Sequence, residues 1–425
     1  MRHIIILSFL FLLISGCNNN EGDHEWTFLV YIAGDNDLSS PALSDLAEME
    51  AIGSSDKVRI IVEIDRTTDT TKRLLVNKGG SILLDDLGEL NMADPDTITD
   101  FISWAGDNFQ SRHYALILWD HGNGYSKPSV FNSYNKSLHS ILQDDTDNTG
   151  CCISNLIVSD AIEKSGLRID ILGLDASQMG QIETAYEFRN VADILVFSQE
   201  TGEANGWDYE KILGELVKQP ATSPEGLAAL MVKAYRDFYE EIFYHDNPDF
   251  EQYLTISAVR LGHSIEESVR DIDRLSRALK RAIDDNKTGN DIIDSVTDVR
   301  ENVQKLTPFT SPYIYVDLFD LVEKLLNQSI QIKEIDDILM ELQSLKDELI
   351  ISEYHGNARP NANGISIVFF KLPEAIEYRT FDSDYHNYDP DNKTGRQIAF
   401  INDTSWDEFL TDYYLSAGYF TPDQS

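Results

Sequence analysis

The feature that most constrains the fold is an alternation, starting at Trp26, between short continuous apolar runs and longer amphipathic segments. A run that is apolar at every position has no polar face, so it predicts a strand buried on both sides of a sheet. Such strands are typical of parallel sheets, and the amphipathic segments between them are the expected crossover helices. The predicted strands are residues 27–33, 58–65, 114–119, 169–174 and 194–198.

Amphipathic patterns predict four helices among these strands, each with an Asp, Ser or Pro at or just before its start, at 41–52, 96–108, 154–164 and 178–189. Short runs at 74–76 and 82–84 flank Asn77-Lys78-Gly79-Gly80 and predict a hairpin. After residue 198 the pattern becomes mostly helical, at 208–217, 224–244, 263–285, 316–326, 332–348 and 406–414, with strands at 255–259 and 364–369 and a surface loop at 382–393. The expected fold is an α/β sandwich with a mainly parallel central sheet and a mostly helical C-terminal extension.

The N-terminus has the pattern of an export signal. Arg2 precedes an apolar run at 4–14 that is too short to span a bilayer, and the run ends at Ile14-Ser15-Gly16-Cys17. An aliphatic residue, two small residues and a cysteine form the site at which a lipoprotein signal peptidase cuts. We therefore predict a signal peptide at 1–16, lipidation of Cys17 and a polar tether at 17–25. An α/β domain at 26–220 and a mostly helical region at 221–425 would follow, anchored in the bacterial envelope at the periplasmic face or outer surface of the outer membrane.

Charge and cysteine content limit the partners and the source of stability. The 34 basic and 73 acidic residues give a net charge of -39, which repels nucleic acid and anionic lipid and favours solubility. Besides Cys17 only Cys151 and Cys152 are present, and adjacent cysteines cannot link distant parts of a fold. Stability must therefore come from a hydrophobic core, and we expect no nucleic-acid partner.

Polar residues that follow the predicted strands mark a candidate site, because ligands of open α/β sheets bind beyond the carboxyl ends of strands. His121 and Gly122 follow one strand, Ser177 follows another, and Glu200 and Trp207 follow a third. His121 precedes Ser177 by 56 positions, close to the spacing of about 50 that caspases use between histidine and nucleophile. The helix predicted at 178–189 would direct its N–H groups at Ser177 and stabilise an oxyanion.

Seven stretches, in order along the chain, resemble the clostripain family of cysteine peptidases, whose clan includes caspases, gingipains and legumains. The stretches are WTFLVYIAGDND at 26–37, ALILWDHGNG at 115–124, GLDASQMGQIETAYE at 173–187, ADILVFSQETGEANGW at 192–207, YVDLFDL at 315–321, GISIVF at 364–369 and TSWDEFLTDY at 404–413. The resemblance implies a caspase-like fold, with a peptidase domain at 26–220, and cleavage of peptides after arginine or lysine.

The same resemblance assigns roles to individual residues. His121 is the implied catalytic histidine, Gly122 N–H a donor to the oxyanion, and Asp175 the acidic group that holds a basic substrate side chain. Glu200 and Trp207 are candidates for substrate binding. The family's cysteine follows an Asp-Ala pair, whereas this chain has Ser177 at that position.

Three explanations for Ser177 stay open: an engineered inactivating substitution, a natural loss of catalysis with the pocket retained, or a working hydrolase. A serine needs a base held by a third group, and clan members that work with a dyad offer no obvious one. Asp120 is adjacent to His121, but neighbours at a strand end point to opposite sides. Cys151 or Cys152 is an alternative nucleophile, although neither follows a strand. A non-catalytic envelope scaffold or binding protein is a further alternative.

The acidic segment Asp35-Asn36-Asp37 suggests a calcium loop, and some relatives use calcium. It does not fit the twelve-residue pattern with glycine at position six and glutamate at twelve. Capping of the helix before Pro41 is the simpler role. We therefore predict no metal site and no cofactor, with calcium as the alternative.

Overall fold

The structure is a computed structural model that describes residues 24–122, 141–145, 152–306, 315–328, 330–370, 385 and 397–419. The predicted signal peptide, Cys17, Cys151 and, apart from residue 385, the loop at 382–393 lie outside the described residues. The strands are β1 (Trp26–Gly34), β2 (Val58–Arg66), β3 (Asp69–Asn77), β4 (Gly80–Gly88), β5 (His113–Trp119), β6 (Leu142–Gln143), β7 (Cys152–Ile153), β8 (Ile169–Asp175), β9 (Ala192–Phe197), β10 (Thr255–Arg260), β11 (Lys305–Leu306), β12 (Tyr315–Asp317), β13 (Ile350–His355) and β14 (Ser366–Val368).

Nine of these strands form one sheet in the order β13-β10-β9-β8-β5-β1-β2-β3-β4. The five central strands, β9 to β2, are parallel, and antiparallel pairs extend the sheet at both edges. The mainly parallel central sheet predicted from the apolar runs is therefore confirmed. The hairpin is also confirmed, because Asn77 pairs with Gly80 across a two-residue turn between β3 and β4.

The helices cover the two faces of the sheet and fill the C-terminal region. They are α1 (Ser39–Ile52), α2 (Pro95–Asn108), α3 (Asn155–Ser165), α4 (Ile182–Glu187), α5 (Tyr209–Lys218), α6 (Pro224–Phe238), α7 (Tyr244–Asp246), α8 (His263–Asp284), α9 (Gly289–Asn302), α10 (Leu318–Asn327), α11 (Lys333–Leu349), α12 (Ala399–Asp403) and α13 (Trp406–Ser416), with a π-helical turn at Tyr239–Phe243. The mostly helical character predicted for the C-terminal region is confirmed.

The central strand β1 shows why continuous apolar runs form this sheet. Its nine residues are all buried, and successive side chains point to opposite faces. Leu29 and Tyr31 join the core under α2, α3 and α8, whereas Phe28 and Val30 join the core under α1, α5 and α6. Two separate hydrophobic cores therefore hold the sheet between two layers of helices.

Several elements differ from the sequence-based expectation. The helix predicted at 224–244 is interrupted by the π-helical turn, and the one predicted at 316–326 begins as β12 before α10. Neither α9 nor β13 was predicted. Because β10 and β13 join the central sheet, the sheet is continuous across residue 220, and a domain boundary at that position stays a prediction.

Gly173 in β8 leaves space beside the sheet for Trp207. A Cβ atom there would lie 2.5 Å from Ile117 Cδ1 and 2.9 Å from Trp207 Cη2. The missing side chain lets Trp207 pack against the sheet. Within the described residues, we find no helix that combines the length and the apolar character needed to cross a membrane.

Candidate active site

A cleft of about 260 Å³ opens beyond the carboxyl ends of β5 and β8. These strands are parallel neighbours, with Trp119 paired to Asp175, so the residues that follow them meet at the same edge of the sheet. The structure brings five residues singled out in the sequence close to one another here. They are His121, Gly122, Asp175, Ser177 and Trp207, and all except Gly122 line the cleft directly.

The His121–Gly122 and Ala176–Ser177 backbones approach each other closely. Ser177 N–H donates to the His121 carbonyl oxygen over 2.7 Å. Gly122 has a φ of +65°, and a Cβ atom on it would lie 2.6 Å from the Ser177 carbonyl oxygen and 2.7 Å from Ala176 Cβ. Only glycine satisfies both the left-handed conformation and this contact.

The Ser177 hydroxyl faces the cleft but is not paired with the histidine. Its Oγ accepts a hydrogen bond from Gly202 N–H at 3.0 Å. Within the described part of the chain, no hydrogen bond joins Ser177 Oγ to the His121 ring. The hydroxyl oxygen therefore accepts a hydrogen bond from the backbone, and the His121 ring does not accept the hydroxyl proton.

Asp37 is a site residue that the sequence interpretation missed. Its Oδ1 lies 2.6 Å from His121 Nε2, and the His121 side chain is 32% exposed. Asn36 fixes the turn before it, since Asn36 Oδ1 accepts from Leu38 N–H and Asn36 Nδ2 donates to Asp120 Oδ1. The helix-capping role predicted for this segment is wrong, because α1 has Leu38 at its N-cap and no side-chain cap. The signal for Asp37 was its position after β1, the neighbour of β5.

Asp120 supports the histidine loop from beneath. Its Oδ1 accepts from His121 N–H at 2.7 Å and its Oδ2 accepts from Gln143 N–H. Burial raises the pKa of Asp120 well above its usual range. The carboxyl group of Asp120 bonds to backbone amides and to Asn36, whereas the His121 ring bonds to Asp37.

Asp175 lies at the buried end of the cleft beside a second carboxyl group that was not predicted. It accepts hydrogen bonds from Tyr209 Oη–H at 2.9 Å and Trp207 N–H at 3.3 Å. Asp45, on α1, accepts from Trp119 Nε1 at 2.7 Å. Burial raises the pKa of Asp175 to about 7, and burial with the nearby charge of Asp175 raises that of Asp45 to about 9.

The family model described as the clostripain family matches residues 30–413. The chain belongs to the clostripain family. It is 24% identical to the clostripain of Hathewaya histolytica over 415 residues, covering 83% of this chain and 76% of that protein.

Two solved structures of this family share the fold. One is a secreted C11 cysteine protease from Bacteroides thetaiotaomicron with an irreversible peptide inhibitor, at 18% identity and a TM-score of 0.64 over 90% of this chain and 99% of that one. The other is an inactive zymogen C11 protease from Parabacteroides distasonis, at 18% identity and a TM-score of 0.62 over 90% and 98%. The family resemblance and the caspase-like fold expected from the sequence are confirmed, and the peptidase family makes peptides the substrate class.

This clostripain-family chain departs from the predicted arrangement after Ser177. The helix predicted at 178–189 begins only at Ile182 as α4, and Gln178 has a φ of +60°. Gln178 N–H donates to the Glu200 carbonyl oxygen and Gly180 N–H to that of Ser198. The prediction that a helix N-terminus points at Ser177 is therefore wrong.

The two remaining candidates lie in different places. Trp207 is 3% exposed and lines the cleft, and its N–H bonds to Asp175. Glu200 is fully buried, and its Oε1 accepts from Arg359 Nε at 2.5 Å outside the cleft. Thr201, Gly202 and Glu203, the residues after Glu200, line the cleft instead. Glu200 supports this loop, and substrate binding by Glu200 stays a prediction that the observed ion pair does not favour.

Gly122→Ala is expected to destabilise the protein by about 1–3 kcal/mol, because it places a side chain in a left-handed conformation against the Ser177 backbone. Urea unfolding at neutral pH measures the change. Gly202→Ala is the matched control in the same cleft, since its Cβ would meet only Ser177 Oγ at 3.8 Å. Equal losses in the two variants would contradict the close backbone approach as the cause.

Proposed function

We propose that this protein binds peptides through an arginine or lysine side chain and that Ser177 makes it a weak or inactive peptidase. The observation that carries the proposal is Asp175, a buried carboxyl group that lines the cleft, with the carboxyl group of Asp45 close to it beside Gly206. Two buried acidic groups that repel each other form a site that a single cation stabilises.

The surroundings of Asp175 suit a long basic side chain. Asp175 is 8% exposed, so solvent screens its electrostatic attraction to a bound cation only weakly. Trp119, Trp207 and Tyr235 line the same cleft and provide aromatic surface for the aliphatic stem and for cation–π contact. Arginine and lysine combine that stem with a permanent charge.

The position of Ser177 supports weak catalysis. A thiol ionises near neutral pH beside a histidine, whereas a hydroxyl must lose its proton to a base during attack. The Ser177 hydroxyl has no bond to the His121 ring, and Ser177 N–H is used by the His121 carbonyl group instead of an oxyanion. Removing a catalytic nucleophile lowers turnover by about 10⁶ in well-studied hydrolases, so the substitution is expected to dominate the rate.

A second candidate function is favoured by the Asp37 contact. An aspartate that holds the histidine is the third group a serine nucleophile requires, and Asp37 Oδ1 lies 2.6 Å from His121 Nε2. In that case Ser177, His121 and Asp37 would form a serine hydrolase triad on a clostripain-family fold. The absence of a hydrogen bond between Ser177 Oγ and the His121 ring makes this the second choice.

We also propose that a lipid on Cys17 anchors the protein in the bacterial envelope. The support is the sequence Ile14-Ser15-Gly16-Cys17 after a short apolar run. One similar structure belongs to a protein described as secreted. Export is thus compatible with the family.

Asp175→Asn is expected to weaken binding of a peptide ending in arginine by at least about thirtyfold, because it removes one partner of a buried charge pair. Fluorescence anisotropy with a labelled peptide at pH 7.5 measures this loss. Asp170→Asn is the control, since Asp170 is also buried but lies at the amino end of β8 and bonds to His113 and Tyr114.

The pH dependence of the same binding tests the mechanism. The protonated carboxyl group attracts a cation weakly, so affinity for the arginine peptide is expected to rise more than tenfold from pH 5.5 to 7.5 as Asp175 ionises about pH 7. A peptide ending in citrulline, the neutral isostere of arginine, should bind weakly at every pH. Equal affinity for the two peptides would overturn the acidic pocket.

Ser177→Cys is expected to raise the rate of cleavage after arginine at least about a hundredfold, because a thiolate replaces the hydroxyl. Hydrolysis of arginine- and lysine-ended fluorogenic peptides measures the rate, with Ser177→Ala as the background. No gain from Ser177→Cys would contradict the proposed geometry of the attack.

The wild-type rate separates the two candidate functions. If wild type cleaves as fast as Ser177→Cys and Ser177→Ala abolishes cleavage, the serine hydrolase is correct. Asp37→Asn should then lower wild-type kcat by about 10² to 10⁴. A weak or inactive peptidase instead predicts no difference between Asp37→Asn and wild type.

Cys17→Ala is expected to move the protein from the membrane fraction to the soluble fraction and to abolish labelling by radioactive fatty acid. Cell fractionation and metabolic labelling measure the two effects. Cys152→Ala is the control for labelling of another cysteine. Unchanged labelling of Cys17→Ala would show that the anchor is elsewhere.

A further inference from the structure

Three buried carboxylates outside the cleft form a compact group. Asp35 follows β1, Asp65 is in β2 and Asp144 follows β6, and they are 1%, 0% and 4% exposed. One carboxylate oxygen from each lies within 4.8 Å of the other two. The group joins two neighbouring strands of the sheet to segment 141–145, which enters from another part of the chain.

Three buried oxygens of this group, on Asp35 and Asp65, accept no hydrogen bond from the described residues. They are both oxygens of Asp35 and Oδ2 of Asp65. Asp65 Oδ1 accepts from Arg66 N–H and Asp144 Oδ2 from Met92 N–H. In the same described ranges, no lysine or arginine forms an ion pair with Asp35 or Asp65. An almost fully buried carboxylate without a hydrogen-bond donor, within a group of others, is stabilised by a bound cation or by protonation.

We propose that Asp35, Asp65 and Asp144 bind one hard divalent cation, Ca²⁺ or Mg²⁺. All three ligands are carboxylate oxygens, which these cations prefer, and the group contains no sulfur or imidazole that would favour zinc or copper. Oxygens that share a Ca²⁺ ion at 2.3–2.6 Å lie up to about 5 Å apart, compatible with the observed separation. The site is independent of the function proposed for the cleft.

The position of this site gives the cation a structural role beside the histidine. The Asp35 carbonyl oxygen accepts from Asp145 N–H at 2.9 Å, which ties segment 141–145 to the end of β1. The next two residues contact the site loop, because Asn36 Nδ2 donates to Asp120 and Asp37 holds His121. A cation on Asp35 would therefore fix, from behind, the turn that orients the His121 ring.

Calorimetric titration of the full chain, purified in detergent and treated with EDTA, with CaCl₂ and separately with MgCl₂ tests the proposal. We expect one saturable site per chain for at least one of the two ions and a rise of about 5 °C in Tm at saturation. Asp35→Asn and Asp144→Asn should each weaken binding at least about tenfold. Asp170→Asn removes the same charge from a buried position elsewhere and should bind like wild type.

Two results would overturn the proposal. One is the absence of a saturable site for both ions in the wild-type protein. The other is equal binding by Asp35→Asn and Asp170→Asn, which would show that the ions are held by the overall net charge of -39 and not by a specific site. Hydrogen exchange of the wild-type chain locates the site even if the variants do not fold, since the cation should slow exchange in the turn after β1 and in segment 141–145. Unchanged exchange there would contradict the site.

Discussion

The candidate site depends on hydrogen bonding between β5 and β8 that continues past the ends of both strands. Asp120 N–H donates to the Asp175 carbonyl oxygen, and Ser177 N–H donates to that of His121. These two backbone bonds hold the residues that follow β5 and those that follow β8 side by side, without help from side chains. They also explain why Gly122 has no side chain, since the Ser177 backbone lies where its Cβ would be.

The same edge of the sheet collects buried carboxyl groups, and this determines much of its chemistry. Two full charges about 5 Å apart repel by roughly 3 kcal/mol at an effective dielectric constant of 20. Burial raises the pKa of Asp175 to about 7, and burial with the charge of Asp175 raises that of Asp45 to about 9, so Asp45 retains its proton at neutral pH. Asp175 lines the cleft, whereas Asp35, Asp65 and Asp144 are almost fully buried outside it. Crowded negative charge thus underlies both proposals, a basic side chain bound in the cleft and a small cation bound by the three aspartates.

Much of the sheet and the cleft could be predicted because parallel strands are continuous apolar runs and their carboxyl ends meet. Asp37 was missed as the partner of His121 because the two residues follow different strands, and the order of strands in a sheet cannot be predicted from a local sequence pattern. Asp45 had a local signal, since it shares one helical face with the buried Ala42 and Met49 at spacings of three and four residues. The late start of α4 had no such signal in the sequence, because nothing in the composition requires Gln178 to adopt a left-handed conformation.

Under the proposed function, Ser177 separates binding from bond cleavage. Binding of a basic side chain would depend on the carboxyl groups of Asp175 and Asp45, which accept hydrogen bonds from Tyr209, Trp207 and Trp119. Cleavage would depend on one atom, Ser177 Oγ, whereas the bond between Ser177 N–H and the His121 carbonyl oxygen is made by the backbone. The carboxyl groups of the cleft region can therefore stay in place after the nucleophile is weakened, because their hydrogen bonds to Tyr209, Trp207 and Trp119 do not involve that atom.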